Sequence, residues 1–270
     1  MESTRPIRAL TRGLDALTVL NLRNGATVSE VAQEIRLPRT TVYRILETLC
    51  EAGFAFRDSA DDRYRLAESV KQLSDGFVDE EWVRQIATPL IQELSSELVW
   101  PIAISTLCGS SMLVRETTDH VSPLAMERYS PGFRFPLLTS ASGRLYLAFC
   151  PLSERAALID TLSKSNKPDA KLARSPVELE RILAEIKAQG FATAATSRRI
   201  SDDLSIAVPV TVDGRILAGV GIRVSAAAMP AKTAIERFLP RLRDCASRIT
   251  VRLAERGVDR KTPVSDAAMT

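Results

Sequence analysis

Apolar residues between positions 10 and 66 recur in blocks whose period changes along the chain. Leu10, Leu14, Leu17 and Leu20 have helical spacing, and Val28, Val31, Ala32 and Ile35 fall at i, i+3, i+4 and i+7. Val42, Ile45, Leu46 and Leu49 repeat those offsets, so three short helices with one buried face each are predicted. Thr27 and Glu30 have capping-box spacing, which starts the second helix. Arg36-Leu37 makes a turn, and Pro38 fits the first position of the third helix, where its missing N–H costs nothing. Residues 54–57 and 63–66 then alternate with period two around the polar Asp58-Ser-Ala-Asp-Asp62, the pattern of a hairpin with a longer loop.

Helix, capped helix, turn, helix and hairpin in that order make a winged helix-turn-helix. On the third helix Thr40 and Arg44 lie opposite the apolar stripe, with Tyr43 on the flank. The N-terminal part of a recognition helix is what reaches base edges. Arg39, Thr40, Thr41, Tyr43 and Arg44 are therefore the candidate DNA contacts, with Arg57 and Arg63 of the hairpin beside them. Arginine can grip guanine O6 and N7 or hold a phosphate, and threonine can meet a thymine methyl, so base and phosphate contacts both stay open. Two amphipathic helices around a proline also occur in plain helical cores; the hairpin is what favours a DNA reader.

Further on, Val70, Leu73 and Phe77 stripe a helix expected over 67–84, and such a stripe needs a cover. A helix is expected at 89–98, strands at 102–107 and 112–116 around Cys108-Gly-Ser-Ser, and helices at 143–149, 153–162 and 177–189. Strands 205–212 and 215–224 flank Asp213-Gly214, a strong hairpin signal, and a helix bent at Pro240 closes the chain over 231–256. Hairpin strands with helices between them imply an α+β domain. Within it Arg223 interrupts the apolar run Ile216-Leu-Ala-Gly-Val-Gly-Ile-Arg-Val224. A cation facing a core needs an anion, and a guanidinium suits a carboxylate. Alternatively the strand lies at an edge and Arg223 faces water or a nearby Asp. Gly221 shares the face of Arg223 and leaves room above it. Ser140-Ala-Ser-Gly143 precedes a helix, whose first N–H groups attract anions.

Composition narrows the function without choosing it. A chain of 270 residues holds two domains, and its net charge of +3 is too small to argue for nucleic acid, although Arg36, Arg39 and Arg44 cluster locally. No apolar run is long enough to span a bilayer and the first residues lack a signal-peptide core, which leads to a cytoplasmic expectation with no membrane partner. Cys50, Cys108, Cys150 and Cys245 lack the short spacings of zinc or redox sites and are expected reduced and packed. His120 is the single histidine, Gly219-Val-Gly221 lacks the rest of a dinucleotide fingerprint, and neither a Gly-x-Ser-x-Gly nor a P-loop sequence occurs. An enzyme, a cofactor and a metal site are not expected.

With the Leu37-Pro-Arg-Thr-Thr-Val-Tyr-Arg-Ile-Leu-Glu-Thr-Leu49 helix set between a capped helix and a wing, the chain resembles the IclR family of bacterial transcriptional regulators. The resemblance continues through Met112-Leu-Val-Arg-Glu-Thr-Thr118, Gly132-Phe-Arg-Phe-Pro-Leu-Leu138, Ser140 to Pro151 and Ile206-Ala-Val-Pro-Val210. It implies a winged helix-turn-helix domain over 1–66, a linker helix over 67–87 that helps pair subunits and a GAF-like effector-binding domain over 88–257; the small, polar residues that follow lead to a flexible tail expected over 258–270. By the same resemblance Ala141, Ser142 and Gly143 border the effector site, and Ser205, Gly221 and Arg223 complete the candidate set. Ser205 stands where many relatives have cysteine, and Arg223 where several have a small hydroxyl residue. Ser142 as no more than a helix cap, and Ser205 as no more than a strand end, are the plainer alternatives. Trp100-Pro101 and the run 115–150 are most similar to activators of phenylpropionate and hydroxyphenylpropionate breakdown. The implied partners are a double-stranded DNA operator, a small aromatic carboxylate and a second copy or a tetramer, with RNA polymerase a further candidate for an activator. A repressor answering another small carboxylic acid, and a sensor acting through protein partners, are the alternatives.

Overall fold

A computed structural model describes residues 7–74, 81–165, 170–197 and 202–256. The chain divides into two compact units, Met1–Val78 and Asp79–Thr270.

The first unit holds α1 (Arg8–Arg23), α2 (Val28–Glu34), α3 (Arg39–Glu51) and a hairpin of β1 (Ala55–Arg57) and β2 (Tyr64–Leu66). The capping box forms: the Glu30 amide donates to Thr27 Oγ1 and the Thr27 amide to Glu30 Oε2 at 2.8 Å. That amide bond, partly opposed by burial and reinforced by Arg63, holds the Glu30 carboxyl below its usual range. Pro38 sits one position earlier than expected; its ψ of 139° is extended, so it caps α3 and Arg39 is the first helical residue. Val31, Ala32, Val42, Leu46, Ala55 and Tyr64 close the core as the periodicity predicts. On α1 the phase differs, because Ala16, Val19 and Leu20 face that core whereas Leu10 and Leu14 are exposed. The helix turns only its C-terminal half into the unit. Ile7, Leu10 and Leu14 are left as an uncovered apolar stripe. After β2 the chain winds into a 3-10 helix, Glu68–Ser74, rather than the α-helix expected, and Leu73 on it is exposed. Phe77 of the proposed linker stripe lies outside the described residues, as does the tail expected over 258–270.

In the second unit a π-helical turn, Val83–Ala87, runs into α4 (Thr88–Leu98). Six antiparallel strands follow in the order β5-β4-β3-β8-β7-β6, comprising β3 (Ile102–Cys108), β4 (Ser111–Thr117), β5 (Arg134–Pro136), β6 (Ala192–Ser197), β7 (Asp202–Val212) and β8 (Arg215–Ser225). Between β5 and β6 come α5 (Ala141–Phe149), α6 (Leu152–Ser163), α7 (Ala170–Ala173) and α8 (Pro176–Gln189). The chain then closes with α9 (Ala231–Glu255), which continues through Pro240. The fold is thus α+β, a winged helix-turn-helix followed by an α/β domain.

Strand alternation splits the sheet into two unlike faces. Ile102, Ile104, Leu204, Ile206, Val208, Val220, Ile222 and Val224 join α4 and α9 in one apolar core. The residues between them, Ala103, Ser105, Asp203, Ser205, Ala207, Gly219, Gly221 and Arg223, point to the other face, over which the N-terminus of α5 lies. Small side chains on that second face cannot fill the space beneath α5, so the sequence itself leaves a hollow there.

Candidate DNA-reading face and effector cavity

On α3, Val42 and Leu46 are buried while Arg39, Thr40, Tyr43 and Arg44 are exposed, with Thr41 half-buried beside them. Among the described residues neither Arg39 nor Arg44 has an ion-pair partner, so two cations stand unneutralised at the first turns of the helix. Thr40, Thr41 and Arg44 also edge an open groove of about 430 Å³ against Ala9, Arg12 and Gly13 of α1.

The wing arginines behave differently. Arg63 donates to Glu30 at 2.9 and 3.3 Å and to the Gly25 carbonyl at 3.2 Å, which ties the hairpin to α2. Its guanidinium is spent inside the unit, a structural role the sequence reading missed. Arg57 is bound to Asp62 at 2.5 Å, yet half of its side chain remains exposed. Tyr64 is buried and its hydroxyl donates to Glu47 Oε1 at 2.6 Å, which fixes the wing against α3. Burial, with Glu47 as the next cause, pushes the Tyr64 hydroxyl well above its ordinary pKa.

The hollow under α5 is a cavity of about 70 Å³, lined among others by Ala141, Ser142, Ser205, Gly221 and Arg223, five of the six candidates. Ser140, not Ser142, caps α5: its hydroxyl accepts the Gly143 amide at 3.1 Å. This leaves the amides of Ala141 and Ser142 without a protein acceptor among the described residues, at the positive end of a helix dipole. The hydroxyls of Ser105, Ser142 and Ser205 likewise bond to no group among the described residues, although all three residues line the cavity. Ser142 leans over the sheet glycines, its Oγ 3.6 Å from where a Cβ on Gly219 would lie and 3.9 Å from one on Gly221. Gly143 does not line the cavity. A Cβ there would stand 2.2 Å from the Leu137 carbonyl oxygen, so its hydrogen is what lets α5 seat.

Arg223 meets carboxylates belonging to the protein itself. Its Nη2 lies 2.7 Å from Asp119 Oδ2 and donates to the Glu127 carbonyl, Nε is 3.7 Å from Asp203 Oδ2, and the guanidinium stacks 4.3 Å from the Tyr129 ring centroid. Asp119 in turn accepts the Tyr129 amide at 2.8 Å and the Thr117 hydroxyl at 2.6 Å. Sequence reasoning allowed a nearby Asp but named neither partner. Asp203 could have been found, because it precedes Ser205 by two and must share its face; Asp119 sits in a polar loop with no such signal.

The expected aromatic effector meets a tight space, since a dry cavity of roughly 150 Å³ is what admits benzene. The four cysteines are free thiols. Cys150 and Cys245 are buried, and burial pushes them up to about 11 and about 12, so both are protonated and inert at neutral pH. Cys50 and Cys108 are only half-buried, less packed than expected. Among the described residues no His, Cys, Asp and Glu group could hold a metal ion, and no helix is long and apolar enough to cross a membrane.

Comparison with known proteins matches the two parts of the chain to two family profiles. The family profile described as "Bacterial transcriptional regulator IclR C-terminal" matches residues 76–251, and that of the "IclR helix-turn-helix domain" matches residues 9–59. The probable transcriptional regulator SauR of Cupriavidus necator is 25% identical, covering 92% of this chain and 97% of its own. Among solved structures, the IclR of Thermotoga maritima superposes with a TM-score of 0.61 at 21% identity, over 92% of this chain and 99% of its own. An IclR homologue of Microbacterium hydrocarbonoxydans complexed with 4-hydroxybenzoate gives 0.57 at 20% identity over the same shares.

Proposed function

Because the chain belongs to the IclR family, a family of non-enzymatic, ligand-responsive DNA-binding regulators, we propose that α3 reads the operator through Arg39, Thr40, Thr41, Tyr43 and Arg44, and that a small carboxylic acid in the cavity under α5 controls it. The observation that carries the second half is the pair of amides at Ala141 and Ser142 that find no acceptor among the described residues, with the hydroxyls of Ser105, Ser142 and Ser205 converging on the same space. A carboxylate placed there takes charge-assisted bonds from a helix N-terminus. Arg57 supports phosphate contact from the wing once Asp62 releases it; Arg63 holds the wing in place.

A second copy of the chain covers the exposed Ile7, Leu10 and Leu14 stripe of α1, which pairs two reading heads through the N-terminal region. The bound acid acts by favouring one arrangement of those heads over another. We take a short acid as the effector that the 70 Å³ cavity supports best. The 4-hydroxybenzoate bound by the Microbacterium homologue, and the Tyr129, Phe133 and Phe135 cluster with Phe135 at the rim, favour a single-ring acid as the second reading. That reading requires Phe135 or Arg223 to move. The similarity of Trp100-Pro101 and the run 115–150 to phenylpropionate-type activators supports activation of catabolic genes as the regulatory sign.

A thermal-shift screen of aliphatic and aromatic carboxylic acids tests this. At 100 times its Kd the effector stabilises the folded state by about 2.7 kcal/mol, which raises the midpoint by roughly 5–10 °C. That same acid is expected to raise the output of the controlled promoter fused to a reporter. A folded protein that no acid stabilises contradicts the effector assignment, and reporter output that rises when the chain itself is removed makes it a repressor.

A further inference from the structure

The polar loop between β4 and β5 is tied to itself at several points. Its two legs meet where the Tyr129 amide donates to Asp119 Oδ2 at 2.8 Å and where His120 Nε2 and Ser130 Oγ lie 3.2 Å apart. Near its start the Val121 and Ser122 amides fold back onto the Thr118 carbonyl at 3.1 and 2.9 Å. Residues 119–129 therefore form one strap. Asp119, Ser122 and Tyr129 are its buried feet, whereas Val121, Leu124 and Met126 are exposed along its span.

Arg223 grips the strap in three places, at the Asp119 carboxylate 2.7 Å away, at the Glu127 carbonyl and across the face of the Tyr129 ring, and it also lines the cavity under α5. Around that cavity Phe135 and Arg223 carry the long side chains that can turn aside, because α5 is seated against Leu137 through Gly143 and the sheet is backed by α4 and α9. Both touch Tyr129, whose ring centroid is 5.2 Å from that of Phe135. Widening the cavity from about 70 Å³ toward the roughly 150 Å³ that admits benzene thus disturbs the strap whichever wall gives way. Release does not strand the cation: Arg223 Nε keeps Asp203 Oδ2 at 3.7 Å while Asp119 turns out to water.

Another foot of the strap stands on α4. The Ser122 hydroxyl donates to the Val99 carbonyl at 2.6 Å. Val99 ends α4 at a φ of 67°, a left-handed conformation that a β-branched residue adopts only under constraint. The chain reaches α4 through the π-helical turn Val83–Ala87, so Val99 closes the helix by which it enters the second unit. A strap that lifts carries the Ser122 hydroxyl away and removes a bond that steadies this strained turn.

We propose that residues 119–129 are a strap that Arg223 latches over the effector cavity, and that a ligand too large for the closed cavity releases it and loosens the end of α4 through Ser122 and Val99. This rests on the reading of a single-ring acid as the effector, with its carboxylate at the start of α5. A short acid fits beneath the closed strap and leaves it latched. The strap is then the element with two arrangements whose balance the ligand biases.

Amide hydrogen exchange of the full chain, with calorimetry to record binding, tests the strap with 3-phenylpropionate and lactate as probes. In wild type saturated with 3-phenylpropionate the amides of Val99, Val121, Ser122 and Tyr129 are expected to exchange at least about threefold faster, whereas lactate leaves them unchanged. Asp119→Asn weakens the latch, so it binds 3-phenylpropionate at least about threefold more tightly and lactate as before, where a merely structural defect weakens both. Ser122→Ala supplies the readout if Asp119→Asn does not fold: Val121 and Tyr129 still respond to 3-phenylpropionate and Val99 no longer does. Bound 3-phenylpropionate with the strap amides unmoved overturns the latch and leaves the effector reading standing. Failure of 3-phenylpropionate to bind wild type and every folded variant overturns the ring-acid reading and the latch with it.

Discussion

Alanine at both Arg39 and Arg44 is expected to weaken operator binding by at least roughly 30-fold with the unfolding midpoint unchanged within about 2 °C. Both side chains are exposed and carry no ion pair among the described residues, so their removal costs the first unit little. On DNA each arginine that grips a base is worth about 1–3 kcal/mol, and one that holds a phosphate contributes about one unit to the salt dependence. Two such losses sum to about 2 kcal/mol at least, hence the 30-fold figure. Fluorescence anisotropy across a salt series separates the roles. A uniform loss over all sequences with a shallower salt slope marks phosphate contacts, and a loss confined to the operator marks base readout. Full affinity in the double variant would remove α3 as the reading helix.

Gly143→Ala is expected to cost about 3 kcal/mol, the upper end of the range for overpacking, and to lower the midpoint of the second unit by roughly 6–12 °C. The added methyl would stand 2.2 Å from the Leu137 carbonyl oxygen, 2.6 Å from its carbon and 2.6 Å from the Leu137 Cα, and a backbone cannot rotate away as a side chain can. To relieve the contact the start of α5 must shift away from Leu137, which displaces the Ala141 and Ser142 amides at the cavity. The variant therefore also loses the acid-induced thermal shift. Gly219→Ala is the internal comparison, because its methyl meets Ser142 and Leu145 side-chain atoms at ordinary van der Waals distances of 3.5–3.6 Å. Equal midpoints for the two variants, read by circular dichroism, would contradict the close-approach argument.

Much of this was legible in the amino-acid order wherever a local rule dominates. The Thr27 and Glu30 capping box, the Asp213-Gly214 hairpin and the apolar stripe of α3 each depend on residues within a few positions, and each forms as expected. Elements were missed where tertiary packing supplies what local pattern lacks. β6 reads Ala-Thr-Ala-Ala-Thr-Ser, too small and polar to announce a strand, and it exists because β7 offers it a hydrogen-bonding edge. Starting β7 at Ser205 rather than Asp202 hid Asp203, and with it half of the acidic pair around Arg223. Leu10 and Leu14 have the same periodicity as buried residues, and periodicity cannot tell a face that packs within the unit from one that awaits a partner. Five of six effector candidates surround one cavity for a reason of a different kind: alternation along β8 and the start of α5 are both readable, although their meeting across the fold is not.

The central claim is that one chain couples an acid in the cavity under α5 to DNA on α3. Its most direct test is the anisotropy of labelled double-stranded DNA carrying a site that the wild-type protein selects from a random pool, titrated with that protein with and without an acid identified by thermal shift. The account predicts saturable, steeply salt-dependent binding whose affinity changes about 5- to 150-fold when the acid is added, the usual span of coupling between two sites. Binding that the stabilising acid leaves unmoved, or no salt-dependent binding to that DNA, would contradict it.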